Sequence, residues 1–199
     1  MNKIIAFLIL LSATPFLVLT SLLIFLITLE NPIFLQKRFM GSNKFFTIYK
    51  LKTIRKSKKN YFFLNFLRFT HLDELPQLIN IIKGEMNFIG PRAMDWVDYE
   101  FCLSHFSEYY KKLLIKRLNS KGGIFGLSQL LGFGFHQKLK NVNFHQKKIF
   151  FDCYYIKYQN FFMNLFILLL TPFMLFKLSN KHEALMLKLI KKNISKKHM

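Results

Sequence analysis

Two long apolar stretches frame the chain, and the hydrophobic positions between them fall into shorter, patterned runs. From Ile4 to Leu29 there are 26 residues without a charge, enough to cross a hydrocarbon core as a helix. Thr14-Pro15 interrupts the middle of this run. Proline lacks the amide donor and clashes with the preceding turn, so a sharp bend is expected there, with the hydroxyls of Ser12 and Thr14 placed to bond freed carbonyls. The run fits a kinked spanning helix, a helix that enters and returns to one face, or a cleaved signal peptide ending near Ser12-Ala13-Thr14. Strong hydrophobicity continues for 15 residues past that point, which weakens the last reading.

Residues 72–135 read as the globular centre. Leu75, Leu78, Ile79 and Ile82 recur at helical spacing and predict a helix near 74–83 with one buried stripe, stopped by Gly84. A glycine-rich stretch follows at 122–134. Tyr158 to Phe176 is a second uncharged run, of 19 residues, broken at Thr171-Pro172 and only marginally long enough to span. Beyond it, Leu185, Leu189 and Ile190 alternate with Lys188, Lys191 and Lys192, the pattern of a short interfacial helix or of a frayed basic tail. No repeat or low-complexity linker marks a second soluble domain.

Charge changes the picture in one place. Residues 31–72 hold ten Lys or Arg and no acid, starting where the first apolar run ends. Such a collar beside a membrane element argues for the cytoplasmic face and for anionic head groups; the run Lys56-Ser57-Lys58-Lys59-Asn60 reads as a solvated loop. The net charge of +20 would equally suit nucleic acid, but no recognition helix or aromatic-basic motif accompanies it, and nucleic acid is not an expected partner. Only five of the 30 basic residues are Arg: 38, 55, 68, 92 and 117. Much of the Lys excess reads as compositional drift, which makes those arginines the better candidates for bidentate phosphate or carboxylate contacts. Cys102 and Cys153 form no metal or CxxC pattern, and His71 beside the central helix reads as structural.

Asp73-Glu74 stands at the predicted start of the central helix, with Pro76 in its first turn. An Asp cap followed by Glu is ordinary helix-start chemistry. The same position also suits a phosphate, because free amides and the helix dipole favour an anion, and two carboxylates can share a divalent cation. Mg²⁺ is the expected ion, since it accepts one or two carboxylates plus substrate oxygens and water.

Around this pair run Arg68-Phe-Thr-His-Leu-Asp73-Glu74-Leu-Pro-Gln-Leu and Gly84-Glu-Met-Asn-Phe-Ile-Gly90-Pro91-Arg92. They are flanked by Pro32-Ile-Phe-Leu-Gln36-Lys-Arg38 with Gly41, by Phe46-Thr-Ile-Tyr-Lys50-Leu-Lys52-Thr53, by Gly126 with Gln129 and Gly132, and by Asp152 with Tyr155. In order and spacing these motifs resemble the bacterial sugar transferases, the small monotopic phosphoglycosyl transferases, over nearly the whole chain to about Phe176. The resemblance implies a mainly α fold with minor β: a re-entrant membrane helix-break-helix over 1–30, a compact cytoplasmic-face catalytic domain with interfacial helices over 31–176, and a basic amphipathic tail over 177–199. It implies transfer of a sugar-1-phosphate from a UDP-sugar to polyprenyl (undecaprenyl) phosphate at the bacterial inner membrane, initiating O-antigen, capsule or glycoprotein glycan synthesis. In that chemistry Asp73 is the nucleophile that forms a phosphosugar-enzyme and releases UMP. Glu74 helps Asp73 hold Mg²⁺ and accepts a proton from the acceptor phosphate. Arg92, Arg68, Arg38 and Lys52 are the implied phosphate ligands, and Lys121, Gly126 and Gln129 the implied substrate loop. Departures are visible as well. Where the family has Arg-Pro-Gly-Ile-Thr-Gly this chain has Lys121-Gly122-Gly123-Ile124-Phe125-Gly126, the segment between Thr53 and Arg68 is short, and Asn164 replaces a common Asp. A catalytically weakened membrane scaffold of the same fold is the alternative expectation.

Overall fold

The first apolar run folds as one helix, α1 (Asn2–Thr28), and helical geometry continues through Pro15. The proline removes one amide donor from the ladder. Two hydroxyls act just before it, Thr14 Oγ1 donating to the Leu10 carbonyl at 2.8 Å and Ser12 Oγ to that of Ile9 at 2.9 Å. Ala6, Leu10, Ala13, Leu17, Thr20, Ile24 and Thr28 form a stripe of buried and half-buried positions at steps of three or four, the spacing that keeps one helical face against a partner. This face runs along the rest of the protein from end to end. The computed structural model describes residues 2–40, 44–54, 61–133 and 141–175. The predicted tail beyond 176, Gly41 and the loop 56–60 lie outside the described residues.

After α1 come an antiparallel hairpin, β1 (Ile33–Met40) and β2 (Lys44–Leu51), and the short helix α2 (Phe62–Phe69). A 3-10 turn (Leu72–Gln77) leads into α3 (Leu78–Lys83), and β3 (Met86–Ile89) follows. Then come α4 (Trp96–His105), α5 (Glu108–Leu118), β4 (Gly122–Phe125), a π-type turn (Gln129–Phe133), α6 (Val142–Tyr158) and α7 (Phe161–Leu175). The fold is therefore mostly helical with two small sheets, as expected.

The first half of α1 packs through Ala6 and Leu10 on Leu78 and Ile81 of α3 and Ile48 of β2. Its second half packs through Leu17 and Ile24 on Leu51, Leu64 and Leu67. The Lys3 side chain lies over Gly84 at the end of α3, and just past the other end Glu30 pairs with Lys52 at 2.7 Å. Both ends of α1 thus rest on the same body. The outward side of α1, Phe62, Phe66 and Phe69 of α2, and Phe161, Phe162 and Leu169 of α7 are exposed, far more apolar surface than water alone tolerates in a monomer.

The central helix starts differently from the sequence expectation. Asp73 is not its cap: His71 holds that place in the left-handed region (φ 55°), and makes no capping hydrogen bond through its side chain. The residues expected to open an α-helix instead make a tight 3-10 turn, and α proper begins at Leu78. Gly84, with φ 83°, ends it as expected.

Candidate active site

Three segments converge on the acidic pair. The strand β2 supplies Lys50 and, just past its end, Thr53; the 3-10 turn supplies Asp73 and Glu74; and the segment after β3 supplies Arg92. Asn80, wholly buried in α3, ties two of them together. Its Nδ2 donates to the Thr47 carbonyl of β2 at 2.7 Å and its Oδ1 accepts from the Tyr49 amide at 3.4 Å.

The two carboxylates differ sharply. Arg92 forks onto Glu74, Nη1 donating to Oε2 at 3.1 Å and Nη2 to Oε1, while Lys50 Nζ donates to Oε1 at 2.7 Å. Burial raises the proton affinity of Glu74, but Arg92 and Lys50 outweigh it and hold the carboxyl well below its usual range. Among the described residues Asp73 accepts only a 3.3 Å bond from Thr53 Oγ1 at Oδ2, and its buried Oδ1 has no partner. Burial first, then the neighbouring Glu74 charge, raise Asp73 to about 6. One turn therefore holds a fixed, neutralised anion beside a carboxylate with a free oxygen, a separation of roles that acid–base and nucleophilic sites use.

Arg92 is aimed by glycine packing beneath it. Strand β3 pairs parallel with β4, Met86 against Gly122 and Ile89 against Phe125. The Gly90 amide donates to the Phe125 carbonyl and the Gly123 amide to the Pro91 carbonyl, both at 2.9 Å. A Cβ on Gly123 would sit 2.1 Å from the Gly90 nitrogen, and one on Gly126 2.6 Å from the Gly90 oxygen, so only glycine permits this approach.

Of the other expected ligands, the structure brings none onto the acidic pair. Arg38 is buried and engaged with Asp95 at 3.2 Å and Gln36 at 2.8 Å, within electrostatic reach of Arg92 and Glu74. Lys52 pairs with Glu30, because β2 ends at Leu51 and the strand alternation that turns Lys50 inward lapses one residue later. Arg68 is exposed in the last turn of α2. The Lys121 side chain is exposed, and Gln129 holds a buried Oε1 without a partner beside Gly126.

A match to the bacterial sugar transferase family spans residues 1–178. The chain belongs to that family. An uncharacterized sugar transferase, EpsL, of Bacillus subtilis (strain 168) is 29% identical over 174 residues, covering 81% of this chain and 79% of its own length. A UDP-glucose:undecaprenyl-phosphate glucose-1-phosphate transferase of Klebsiella pneumoniae is 37% identical over 112 residues, covering 54% of this chain but 22% of that protein. The enzyme of the same name in Xanthomonas campestris pv. campestris is 30% identical over 160 residues, covering 71% and 31%. The chain thus spans less than a third of these two named transferases and most of EpsL.

Sequence reasoning passed over four residues that the family fold draws into the site or beneath it. Lys50 and Thr53 stood in a motif without a role, and no sequence signal separates Lys50 from Lys52, which share one strand parity and differ only because β2 ends at Leu51. Arg117 stood among the scarce arginines and Asp152 in a motif with Tyr155, but nothing in the sequence paired them, because 35 residues separate them and only the packing of α5 on α6 joins them, at 2.6 Å.

Proposed function

We propose that this protein moves a sugar-1-phosphate from a UDP-sugar to polyprenyl phosphate at the cytoplasmic face of the bacterial inner membrane, releasing UMP and initiating lipid-linked glycan assembly. The observation that carries this reading is the pairing of Asp73, with its free buried oxygen, and Glu74, fixed by Arg92 and Lys50. Membership of the sugar transferase family supports it, and so do relatives named for undecaprenyl phosphate. The break expected at Thr14-Pro15 does not interrupt α1, and its one-sided seating, with both ends anchored on the same body, supports a helix held at a single membrane face over one that spans.

In this reading Asp73 Oδ1 attacks the β-phosphorus of the UDP-sugar. The bond from that phosphorus to the bridging oxygen breaks, and UMP leaves with the electron pair. An oxygen of polyprenyl phosphate then attacks the same phosphorus, the Asp73–phosphorus bond breaks, and the carboxylate is restored; two displacements divide one difficult transfer. Arg92 serves twice, because a guanidinium has five N–H donors and Glu74 takes only two, leaving others for a phosphate oxygen. Glu74 stays anionic and holds Arg92 and Lys50 in place; with its carboxyl kept well below the usual range it is too weak a base to take the acceptor's proton, so the acceptor phosphate enters deprotonated. The residues fit Mg²⁺: Asp73 Oδ2, which accepts only a long bond from Thr53, and the remaining lone pairs of Glu74 would hold it while Oδ1 is left for attack, with substrate diphosphate oxygens available beside them. When bound, the ion would neutralise the diphosphate. Arg38 acts on phosphate only through its field, Arg68 and Lys52 contribute from the rim, and Lys121, Gly126 and Gln129 border the sugar.

The exposed Lys121 in place of an Arg-Pro turn favours the second reading, a catalytically weakened scaffold. Membranes given polyprenyl phosphate and a panel of UDP-glucose, UDP-galactose and UDP-N-acetylhexosamines decide between them and name the sugar. UMP release with one donor supports the transferase, and none with any donor refutes it.

A further inference from the structure

Behind the acidic pair lies a buried ionic link that the transfer chemistry does not touch. Arg117 of α5 and Asp152 of α6 are 0% and 1% exposed, and Arg117 Nε donates to Asp152 Oδ2 at 2.6 Å. The same guanidinium donates through Nη2 to the backbone carbonyl of Arg92. The preceding carbonyl, that of Pro91, accepts from the Gly123 amide at 2.9 Å. Two successive carbonyls of the Gly-Pro-Arg segment are thereby gripped, one by β4 and one by Arg117. Nearby, the Tyr155 hydroxyl donates to Asn164 Oδ1 at 2.8 Å and lies 3.5 Å from the Ile89 carbonyl, bracing the strand end that launches the segment.

A buried ion pair is not in itself a stabilising device, since apolar residues of similar volume often serve as well or better. What it supplies here is direction. We propose that Arg117 and Asp152 are positioning residues for the transfer reaction, clamping the backbone of Arg92 so that its side chain forks onto Glu74 beside Asp73. This rests on the proposed role of Arg92 and Glu74. The pair is a relay of geometry, Asp152 to Arg117, Arg117 to the Arg92 carbonyl, and the Arg92 guanidinium to Glu74, and it acts on substrate only through Arg92. Asp98 of α4 and Lys148 of α6 share this interior, so removing Arg117 and Asp152 together leaves its charge balanced.

The test uses full-length protein in lipid or detergent. Asp152→Asn breaks the charge pair, and Arg117→Met with Asp152→Leu replaces it by apolar volume, which retains the fold if Asp152→Asn does not. The expected result is a drop in the rate of UMP release of about 10- to 100-fold, the range seen when an orienting partner is lost. In an Arg92→Lys background the same change should cost less than about twofold, because its effect passes through Arg92. Arginine side-chain NMR gives a readout independent of turnover: the Arg92 Nε–H signal, assigned by its loss in Arg92→Lys, should shift in either variant. Equal losses with and without Arg92, or an unshifted Arg92 signal in a folded variant, overturn the proposal. If the native protein released no UMP from any UDP-sugar, the proposed function would fall, and the Arg92 signal alone would still decide whether the clamp exists.

Discussion

Asp73 and Glu74 are adjacent carboxylates in one turn, and their environments push them in opposite directions. Glu74 accepts from two cations, so it stays charged well into acid. Asp73 has one neutral donor and a buried, unpartnered oxygen, and it titrates near 6. A protonated carboxyl is not a nucleophile, so kcat/KM for UMP release, which reports the free enzyme, should halve near pH 6 and fall about tenfold for each unit below. A profile flat to pH 5 would refute an ionising Asp73 in that role. The sign for stability follows from the same shift. The folded pKa lies above the unfolded value of 3.8, so the native state loses stability as pH rises through that window and carries the full penalty above about 6. Asp73→Asn removes the penalty and, since Asp73 caps no helix, sacrifices no cap. It should raise stability at pH 8 by on the order of 1–3 kcal/mol, read as an increased melting temperature, while abolishing the stoichiometric UMP burst that a covalent Asp73 intermediate predicts in the absence of polyprenyl phosphate. A melting temperature below that of the native protein would contradict the buried-charge account.

Arg92 is the point where residue and element meet, because its place depends on how closely β3 approaches β4. Gly123→Ala puts a methyl group 2.1 Å from the Gly90 nitrogen, a backbone atom with no freedom to swing aside. The strands must separate, at a cost of about 1–3 kcal/mol for forced overpacking, and the Gly123–Pro91 bond that aims Arg92 is lost with them. Thermal melting should fall, and UMP release should fall further than the loss of folded protein explains. A Gly123→Ala protein with native activity per folded molecule would show that β3–β4 spacing does not govern the site. The short helix α3 behaves differently: its polar tie to β2 runs through Asn80, and a wholly buried amide with three bonds makes that element the rigid floor under the 3-10 turn.

At the scale of the whole molecule the question is how α1 meets the membrane. Its stripe from Ala6 to Thr28 lies on the body, its other sides are bare, and each end is anchored to the same body. Single cysteines in place of Lys3 and Glu30 should therefore both be labelled by an impermeant thiol reagent from the cytoplasmic side. Labelling from opposite sides would sink the one-face seating. Pro15→Leu restores the missing amide to a run long enough to span, and should shift part of the population toward opposite-side labelling.

The apolar run of α1, the stop at Gly84, the acidic pair and the Gly-Pro-Arg segment were legible in the sequence because each is local: hydropathy over one turn after another, a residue that tolerates positive φ, a motif of adjacent residues. The same locality explains what was misread. Asp73 looks like a cap beside its own helix, and only the arrival of Thr53 and the left-handed turn at His71 give its side chain another setting. Arg38, Arg68 and Lys52 were grouped with Arg92 by the family resemblance, yet only folding decides which cation meets Glu74 and which is used on Asp95 or Glu30. The carboxylate chemistry is a property of residue types and was set by the sequence alone. The identity of the partners, Lys50 and Arg92 on Glu74 and Arg117 between Asp152 and the Arg92 carbonyl, arises from contacts across 18 to 35 residues of chain, which packing alone can close.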